Sequence, residues 1–399
     1  MTHARRRPLV PVSVEDYRDI ARAKLPRMIF DYIDGGSYDE YTIERNRSVF
    51  GDTLLRQRVL RDVSDIQTGV RLFGEDWTLP VGLAPVGFAG MFARRAEVQA
   101  ARAAQRVGVP YALSTVGISP VEEIKRKTKG PFWFQLYMLR DRGVVKSMLE
   151  RAHEAGVRVL IFTVDLAVVG MRYRDVRNGM GVKLGMGGQL AKFDDYLGHL
   201  GWVWNVGLRG RPLNFGSLRG AVKGVKGLSG FKDWVDKQFD PSFTWADLEW
   251  VRNNWPGQLI IKGIMDSDDA RSAVHAVSPE GIVVSNHGGR QLDGVPAPLE
   301  MLPGIRDAVG PGTHVLMDGG VRTGIDVLKA MARGADGCLI GKSWAYAVAA
   351  GGEDTVVRLL RTMQSELRVA MALTGVTRPG DIDGQVLASG LNERGPENL

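Results

Sequence analysis

Eight short apolar runs, separated by amphipathic stretches, dominate the chain from about residue 79 onward. Most of the runs are continuously apolar, as expected of strands that are covered on both faces. The stretches between them have a helical period; over 141–155, Val145, Met148 and Ala152 fall on one helix face. Eight strands alternating with helices predict a closed α/β barrel, the (β/α)8 or TIM barrel, rather than an open doubly wound sheet. The runs span 79–85, 109–115, 131–137, 157–165, 258–263, 281–286, 314–319 and 337–341.

Two segments do not follow this alternation. Residues 1–78 precede the first run and contain a helical stretch over roughly 13–47. Residues 176–243 separate the fourth and fifth runs and are too long for an ordinary strand-to-helix loop. We therefore expect a single domain over 1–399, made of an N-terminal segment, a barrel over 79–375 and an insertion after strand 4.

The basic charge of the chain is concentrated in the insertion. The whole chain has a net charge of +7, and residues 181–232 hold eight Lys and Arg against two Asp, a net charge of +6. The same stretch contains 13 of the 50 glycines together with Trp202 and Trp204. This composition is typical of a segment that lies on an anionic membrane surface, but it also fits a flexible basic loop over the active site.

Several classes of protein are disfavoured by composition. No uninterrupted apolar stretch is long enough for a transmembrane helix, and the first residues lack the apolar core of a secretory signal. The expected location is therefore peripheral, on the cytoplasmic side of the inner or cell membrane, or alternatively soluble in the cytoplasm. A nucleic-acid partner is not expected, since no recognised motif is present. The single cysteine, Cys338, excludes an intrachain disulfide and is expected to be buried and inert.

Polar residues follow the apolar runs, and reacting groups in barrels lie at these carboxyl ends of strands. The loops after strands 7 and 8 form the usual phosphate site of a barrel. Glycines there expose backbone N–H groups, and Arg322 and Lys342 supply positive charge, so a phosphorylated cofactor or substrate is predicted. The polar strand ends are Gln135 and Tyr137, Thr163 and Asp165 with Arg172 beyond them, Lys262, residues 285–290, residues 318–322, and Gly341 with Lys342.

His287 is the candidate general base. Arg290, three residues later, can hold a bound carboxylate beside it, and Asp165 can orient the imidazole and stabilise its cation. Lys262 has two interpretations, a Schiff-base lysine or a fixed cation beside an electron-rich ring.

These residues resemble those of a known family. The run from Ser285 to Gly294, SNHGGRQLDG, resembles the active-site signature of the FMN-dependent L-2-hydroxyacid dehydrogenases and oxidases. Further matches occur in family order over about residues 13–375, at 24–26 with 31–32, 134–137, 163–165, 261–263 and 318–322.

The resemblance implies FMN as cofactor, a small 2-hydroxy acid as substrate, and roles for individual residues. His287 would take the hydroxyl proton while the α-hydrogen moves to flavin N5, and Asp165 would pair with His287. Arg172 and Arg290 would bind the substrate carboxylate with Tyr32 and Tyr137, and Lys262 would stabilise the reduced flavin. The cofactor would contact Val86, Gly87, Ser114, Gln135, Thr163, Lys262, Ser285, Asp318, Gly320, Arg322, Gly341 and Lys342. The family also implies a homo-oligomer, namely a tetramer.

The substrate and the acceptor differ among branches of the family. Residues 165–172 are similar to the mandelate branch, whereas 207–212 are similar to the respiratory L-lactate branch. Gly87, where oxidases often have alanine, favours a quinone over oxygen as acceptor. Lys342 replaces an arginine found in many members, so the phosphate loses a bidentate contact but keeps a positive charge.

The sequence leaves the substrate and the type of protein open. Either lactate or mandelate fits, because Val116 and Val169 would line the pocket by analogy and are of modest size. An oxygen-using oxidase, a flavin-free phosphate-binding lyase that uses Lys262, and a non-enzymatic basic binding module are also compatible with these residues.

Overall fold

An eight-stranded parallel barrel forms the centre of the computed structural model, which describes residues 8–180, 182, 184–218 and 237–388. A preceding antiparallel hairpin comprises β1 (Val70–Leu72) and β2 (Glu75–Trp77), and the barrel strands are β3 (Val81–Leu83), β4 (Ala112–Ser114), β5 (Trp133–Tyr137), β6 (Val159–Thr163), β7 (Gln258–Ile264), β8 (Gly281–Val284), β9 (His314–Asp318) and β10 (Gly337–Ile340). The sheet order is β3-β10-β9-β8-β7-β6-β5-β4, and a parallel bridge between Leu83 and Tyr111 joins its two edges. The predicted TIM barrel is thereby confirmed.

Helices surround the barrel and follow most of its strands. The predicted helix over 141–155 is present as Arg142–Glu154, and Asp141 caps its first turn. The helices are α1 (Val14–Lys24), α2 (Arg27–Asp34), α3 (Tyr41–Asp52), α4 (Ala96–Val107), α5 (Val121–Lys127), α6 (Arg142–Glu154), α7 (Tyr173–Arg177), α8 (Met186–Leu197), α9 (Leu200–Trp202), α10 (Trp245–Asn254), α11 (Ser267–Val277), α12 (Pro298–Val309), α13 (Gly324–Ala332), α14 (Lys342–Gly351) and α15 (Glu353–Thr374).

Side chains along each strand alternate between two apolar cores. In β6, Leu160 and Phe162 belong to the large core shared with the helices, whereas Val159 and Ile161 belong to a second core inside the barrel. The β1–β2 hairpin closes the end of the barrel where the strands begin, since Phe73 packs against Trp133 with ring centroids 5.4 Å apart. The candidate functional site lies at the opposite end of the barrel, at the carboxyl ends of the strands.

The N-terminal segment folds as predicted into helices over the expected stretch. Helix α1 begins with a capping box in which Ser13 and Asp16 satisfy each other's backbone N–H groups. Helix α2 ends at Asp34, and the buried Asp34 carboxylate accepts hydrogen bonds from Arg18, Arg174 and the Tyr346 hydroxyl. This cluster fixes the carboxyl end of α2 over the barrel. That the whole chain forms a single domain remains a prediction.

The insertion begins with α7 and α8, and α9 continues into a π-helix, Val203–Leu208. Residues 181, 183 and 219–236 of the basic stretch lie outside the described residues, and five of the eight Lys and Arg of the predicted charge cluster are among them. Within the described ranges, no helix is both long and apolar enough to cross a membrane. Cys338 is buried in β10, as expected, and burial raises the pKa of its thiol.

Candidate functional site

A cavity opens at the carboxyl ends of the barrel strands. It brings together fourteen of the predicted site residues, contributed by α2, seven of the eight strands or the loops after them, and the start of α14. They are Tyr32, Val86, Gly87, Tyr137, Thr163, Arg172, Lys262, His287, Arg290, Asp318, Gly320, Arg322, Gly341 and Lys342. Val116 and Val169 also line the cavity, as expected by analogy.

His287 and Asp165 form a buried pair at one end of the cavity. The Nδ1 atom of His287 lies 2.8 Å from Oδ1 of Asp165. His287 has a φ of +57°, a left-handed conformation that is uncommon for a residue with a side chain. Its backbone N–H donates to the Ser285 hydroxyl at 3.1 Å, which helps to hold that conformation. In this geometry an Nδ1–H group of His287 donates to the Asp165 carboxylate, which leaves Nε2 facing the cavity.

The environment favours a neutral imidazole beside a charged carboxylate. Burial lowers the pKa of His287, and the nearby Lys262 and Arg172 add to this effect, whereas Asp165 opposes it. Burial alone would raise the pKa of Asp165, but the proximity of His287 and Lys262 outweighs it, so the pKa lies below its usual value. A neutral histidine at neutral pH is able to accept a proton, and the ionised Asp165 stabilises the resulting cation.

Two arginines and two tyrosines surround the free side of His287. The Tyr137 hydroxyl lies 3.4 Å from Nε2 of His287, and the Arg290 guanidinium lies 4.9 Å from the centre of the Tyr32 ring. Arg290 donates to the Tyr32 carbonyl at 2.6 Å. Burial and the neighbouring Arg290 lower the pKa of Arg172. Arg172 and Arg290 both line the cavity with His287, and two guanidinium groups in one cavity form a site suited to a carboxylate.

Lys262 is held as a buried cation at the centre of the site. Its Nζ donates to the Ser285 hydroxyl at 2.8 Å and lies 3.0 Å from Oδ2 of Asp318. Burial alone would lower the pKa of Lys262, but Asp318 and Asp165 raise it above its usual value. A protonated amine is not a nucleophile, so this geometry argues against a Schiff-base lysine.

The far end of the cavity carries the predicted phosphate-binding cations. Arg322 pairs with Glu15 of α1 at 2.7 Å, and Lys342 donates to the carbonyls of Asp34 at 2.8 Å and Gly35 at 3.1 Å. Gly320 has a φ of +88°, and a Cβ atom there would come within 1.8 Å of the Asn46 carbonyl. A glycine is therefore required at this turn, and its backbone stays accessible.

Three predicted cofactor residues lie behind the cavity wall and not on it: Ser114, Gln135 and Ser285. The Gln135 side chain accepts from the Ser114 hydroxyl at 3.1 Å and donates to the Thr163 hydroxyl at 3.1 Å. Ser285 contacts Lys262 and His287, as described above. In this arrangement they orient residues that face the cavity.

The cavity residues fit FMN, the cofactor implied by the sequence. One end supplies cations for a phosphate, and the middle supplies a fixed ammonium group for an electron-rich ring edge. Asp318 has one buried carboxylate oxygen, Oδ1, without a hydrogen-bond partner among the described residues. A ribityl hydroxyl is a donor of the kind that this oxygen requires. Arg322, Lys342, Lys262 and Asp318 would therefore hold the cofactor.

Sequence reasoning missed several residues around the cavity. Leu166 and Phe239 line it, and Phe239 comes from the end of the insertion, where no motif identified it. Asn46 of α3 contacts the loops that carry His287 and Gly320. No local pattern in a single sequence distinguishes this asparagine from others on a helix. Asn286 lies in the SNHGGR run, but its own role was not recognised.

Known proteins are similar to this chain over most of its length. The chain is 50% identical over 376 residues to an L-lactate dehydrogenase of Caulobacter sp. (strain K31), covering 94% of this chain and 98% of the relative. An L-lactate dehydrogenase of Stenotrophomonas maltophilia (strain K279a) is also 50% identical, with 94% and 98% covered. The crystal structure of the monotopic membrane protein (S)-mandelate dehydrogenase superposes with a TM-score of 0.87 at 31% identity, covering 94% of this chain and 99% of that one.

A family model described as FMN-dependent dehydrogenase matches residues 21–389, which include the N-terminal helices, the barrel and the insertion. The match covers every residue of the cavity described above. Because this match spans most of the chain and relatives at 50% identity cover 94% of it, the chain belongs to the FMN-dependent dehydrogenase family.

Proposed function

We propose that this protein oxidises L-lactate, or a closely similar small L-2-hydroxy acid, to the 2-oxo acid and delivers the electrons to a membrane quinone. The chain is an FMN-dependent oxidoreductase acting on a 2-hydroxy acid. The observation that carries the proposal is the buried His287–Asp165 pair beside Arg172 and Arg290 in the cavity. In this proposal the pair supplies a general base and the two arginines supply a carboxylate site, which is the combination that a 2-hydroxy acid requires.

In this proposal His287 takes the proton of the substrate hydroxyl at Nε2. FMN, when bound, supplies the acceptor for the α-hydrogen and its two electrons. Asp165 holds the Nδ1 proton, so Nε2 keeps its lone pair until the substrate arrives. The imidazolium then formed is stabilised by the Asp165 charge.

Arg172 and Arg290 bind the substrate carboxylate and orient the carbon that reacts. Tyr137 adds a hydroxyl near Nε2 of His287, and Tyr32 supports Arg290 through its ring. Burial raises the pKa of Tyr137, so its hydroxyl stays protonated and remains a donor. The ion pair with Asp318 supports a charged Lys262, which in this proposal would stabilise negative charge on the reduced cofactor.

L-lactate is preferred as substrate over mandelate because of the proteins that this chain resembles. Relatives described as L-lactate dehydrogenases share about half of their residues with this chain, whereas the mandelate enzymes of known structure share fewer. Leu166, Val169 and Phe239 line the cavity with apolar side chains, which suit an apolar substituent on the substrate.

An inverted amphipathic helix supports the membrane part of the proposal. Helix α8 turns apolar side chains outward, and Met186, Leu190, Phe193 and Leu197 are each at least 50% exposed. Its less exposed face carries Lys192, Asp195 and Tyr196 instead. Helices of soluble proteins normally have the opposite arrangement, and an outward apolar face is typical of interfacial helices. We define the four exposed residues, with Leu200 and Trp204, as the apolar stripe.

The activity test is anaerobic reduction of the purified protein. The protein is expected to be yellow and to bleach with L-lactate faster than with L-mandelate. A colourless protein that cannot be reconstituted with FMN would overturn the proposal, and borohydride trapping with substrate would reveal the alternative lyase. Rapid reoxidation by oxygen, with a short-chain quinone inactive, would identify an oxidase.

The membrane test is co-sedimentation with vesicles. Phe193→Ser with Leu197→Ser is expected to reduce binding to vesicles and to leave anaerobic flavin reduction unchanged. Unchanged vesicle binding would exclude the stripe as the membrane contact.

A homotetramer is proposed from the family resemblance, and light scattering of the purified protein would measure its mass.

A further inference from the structure

A second cavity, of about 400 Å³, lies between the N-terminal helices and the insertion, away from the candidate active site. Its wall includes Arg22 of α1, Arg27 of α2, Arg177 of α7, and Asp195 and His199 at the end of α8 and beyond it. The wall contains four arginines and two carboxylates, those of Asp31 and Asp195. The cavity is therefore electropositive.

Two of these arginines have no carboxylate partner within ion-pairing distance among the described residues: Arg22 and Arg177. Each is held instead over an aromatic ring. The Arg22 guanidinium lies 5.0 Å from the centre of the Phe30 ring, and Arg177 lies 5.6 Å from that of Tyr173. Stacking leaves the N–H edge of a guanidinium free, so both arginines can donate to an anion.

The remaining two arginines of the wall are already engaged. Arg174 binds Asp34 and Glu40, and Arg27 lies 3.7 Å from Asp31. Asp31 itself accepts from the Asn178 amide at 2.7 Å. Among the described residues of the wall, the arginines without a carboxylate partner are thus Arg22 and Arg177.

The position of the cavity indicates where such an anion would come from. Asp195 of α8 accepts a hydrogen bond from the Arg27 backbone N–H at 2.8 Å, which fixes the helix against the cavity. Phe193 and Leu197 of the apolar stripe lie within two residues of Asp195, less than one helix turn away. A membrane that contacts the stripe would bring its headgroups to the level of this cavity.

We propose that this cavity binds the phosphate of an anionic phospholipid, with Arg22 and Arg177 as its donors. The inference rests on the proposed membrane association and specifies its headgroup site. The apolar stripe would supply binding to any bilayer, and the cavity would supply preference for anionic lipid. An anionic headgroup gains charge-assisted hydrogen bonds there that a zwitterionic surface does not provide to the same degree.

The test compares two double variants of the full-length holoenzyme. Arg22→Gln with Arg177→Gln removes the two donors, and Arg71→Gln with Arg378→Gln removes the same charge from exposed sites elsewhere. Co-sedimentation uses vesicles of phosphatidylcholine alone and of phosphatidylcholine with phosphatidylglycerol. The cavity variant is expected to lose about tenfold in affinity for the anionic vesicles and to keep its binding to phosphatidylcholine. The control variant should change little.

Three results would overturn the headgroup site. Equal losses in the two double variants would show that only overall charge matters. An unchanged affinity in the cavity variant would exclude Arg22 and Arg177. Full competition by millimolar glycerol 3-phosphate, with equal binding of that anion in the absence of vesicles, would identify a site for a soluble phosphate. If wild type binds neither vesicle, the membrane proposal itself fails. Flavin content and anaerobic reduction by L-lactate should be the same in all variants.

Discussion

Asn46 and Asn286, 240 residues apart, exchange two side-chain hydrogen bonds. The Asn46 amide donates to Asn286 at 2.9 Å, and the Asn286 amide donates back to Asn46 at 2.8 Å. Both side chains are buried, and Asn286 precedes His287, the proposed base with its left-handed backbone. Asn286 Oδ1 also accepts from the backbone of Gly289 at 3.1 Å. The pair therefore ties the N-terminal helix α3 to the loop that carries the base.

Replacement of Asn46 by alanine is expected to lower both stability and turnover. Asn286 keeps its bonds to the Gly289 N–H and the Pro296 carbonyl, but one N–H of its buried amide loses its acceptor, at a cost of about 1–3 kcal/mol in the free energy of unfolding. With its tether weakened, His287 should spend less time in the reactive conformation, so kcat should fall while FMN is retained. Denaturant unfolding and steady-state kinetics of the holoenzyme measure the two effects.

A double-mutant cycle separates this pair from unrelated damage. Asn286→Ala alone and the double variant complete the cycle, and the two losses should be clearly non-additive because each variant breaks the same two bonds. Strict additivity would show that the pair has no joint role. Asn205→Ala, at an exposed asparagine of the insertion, serves as the control and should change neither quantity.

Asp165→Asn is expected to reduce kcat/KM for L-lactate roughly a hundred- to ten-thousand-fold, with FMN still bound. Asparagine is close in shape to the carboxylate, but it removes the charge that stabilises protonated His287. The reduction in rate should be seen in the anaerobic bleaching of the flavin. A variant that retains full activity would exclude Asp165 as the partner of the base.

The pH profile gives a second, independent measure of the same pair. The base must be deprotonated, and burial lowers the pKa of His287 below its usual 6.5, so the acid limb of kcat/KM should lie below pH 6.5. Asp165 raises the pKa of His287 against that effect. In Asp165→Asn the limb should therefore move to still lower pH. Asn205→Ala, at an exposed position of the insertion, is the control and should leave the limb in place.

The strands were predictable because buried parallel strands consist of consecutive apolar residues. Each of the eight runs contains its strand, apart from the last residue of β7. The runs exceed β3, β4, β5, β6 and β8 by two or more residues, since the runs continue into the adjoining turns. The polar strand ends also follow from the fold, because a barrel collects its strand ends on one face. That is why His287, Lys262 and Arg322 could be expected to share a cavity.

Contacts that join distant segments could not be predicted in the same way. The pairing of Arg322 with Glu15, and of Asn286 with Asn46, depends on how the N-terminal helices pack on the barrel. Packing of this kind leaves no local pattern in one sequence. The outward apolar face of α8 was visible only as scattered Leu and Met until the helix boundaries fixed which residues share a face. The roles assigned to individual site residues remain predictions.

Gly87→Ala is expected to disturb the substrate end of the cavity. A Cβ atom at Gly87 would lie 2.6 Å from Cγ2 of Val116 and 3.3 Å from the Tyr32 hydroxyl. One of these side chains must move, and Tyr32 supports the proposed carboxylate-binding Arg290. The KM for L-lactate should therefore rise several-fold.

Val116→Ala provides a matched rescue of this variant. It removes the methyl group that the new Cβ would meet, so Gly87→Ala with Val116→Ala should recover much of the lost affinity for substrate. Steady-state kinetics on the single and double variants measures the recovery. If the double variant is worse than Gly87→Ala alone, the contact with Val116 does not explain the effect.

Lys342 should make cofactor affinity dependent on pH. Burial, with Arg290 and Arg322 nearby, lowers the pKa of Lys342 well below its usual value, so the apoprotein holds this amine in its neutral form over part of the accessible pH range. A bound phosphate dianion favours the charged form, and FMN binding is then accompanied by uptake of a proton. Because each binding event consumes a proton, the affinity for FMN should fall as pH rises above the lowered pKa. Quenching of flavin fluorescence on titration of the apoprotein measures this dependence of FMN affinity on pH, the slope.

Lys342→Met should bind FMN more weakly and lose the slope. Lys329→Met is the control and should keep it, because Lys329 donates to the Phe50 carbonyl away from the cavity. An identical slope in Lys342→Met and wild type would show that another group takes up the proton.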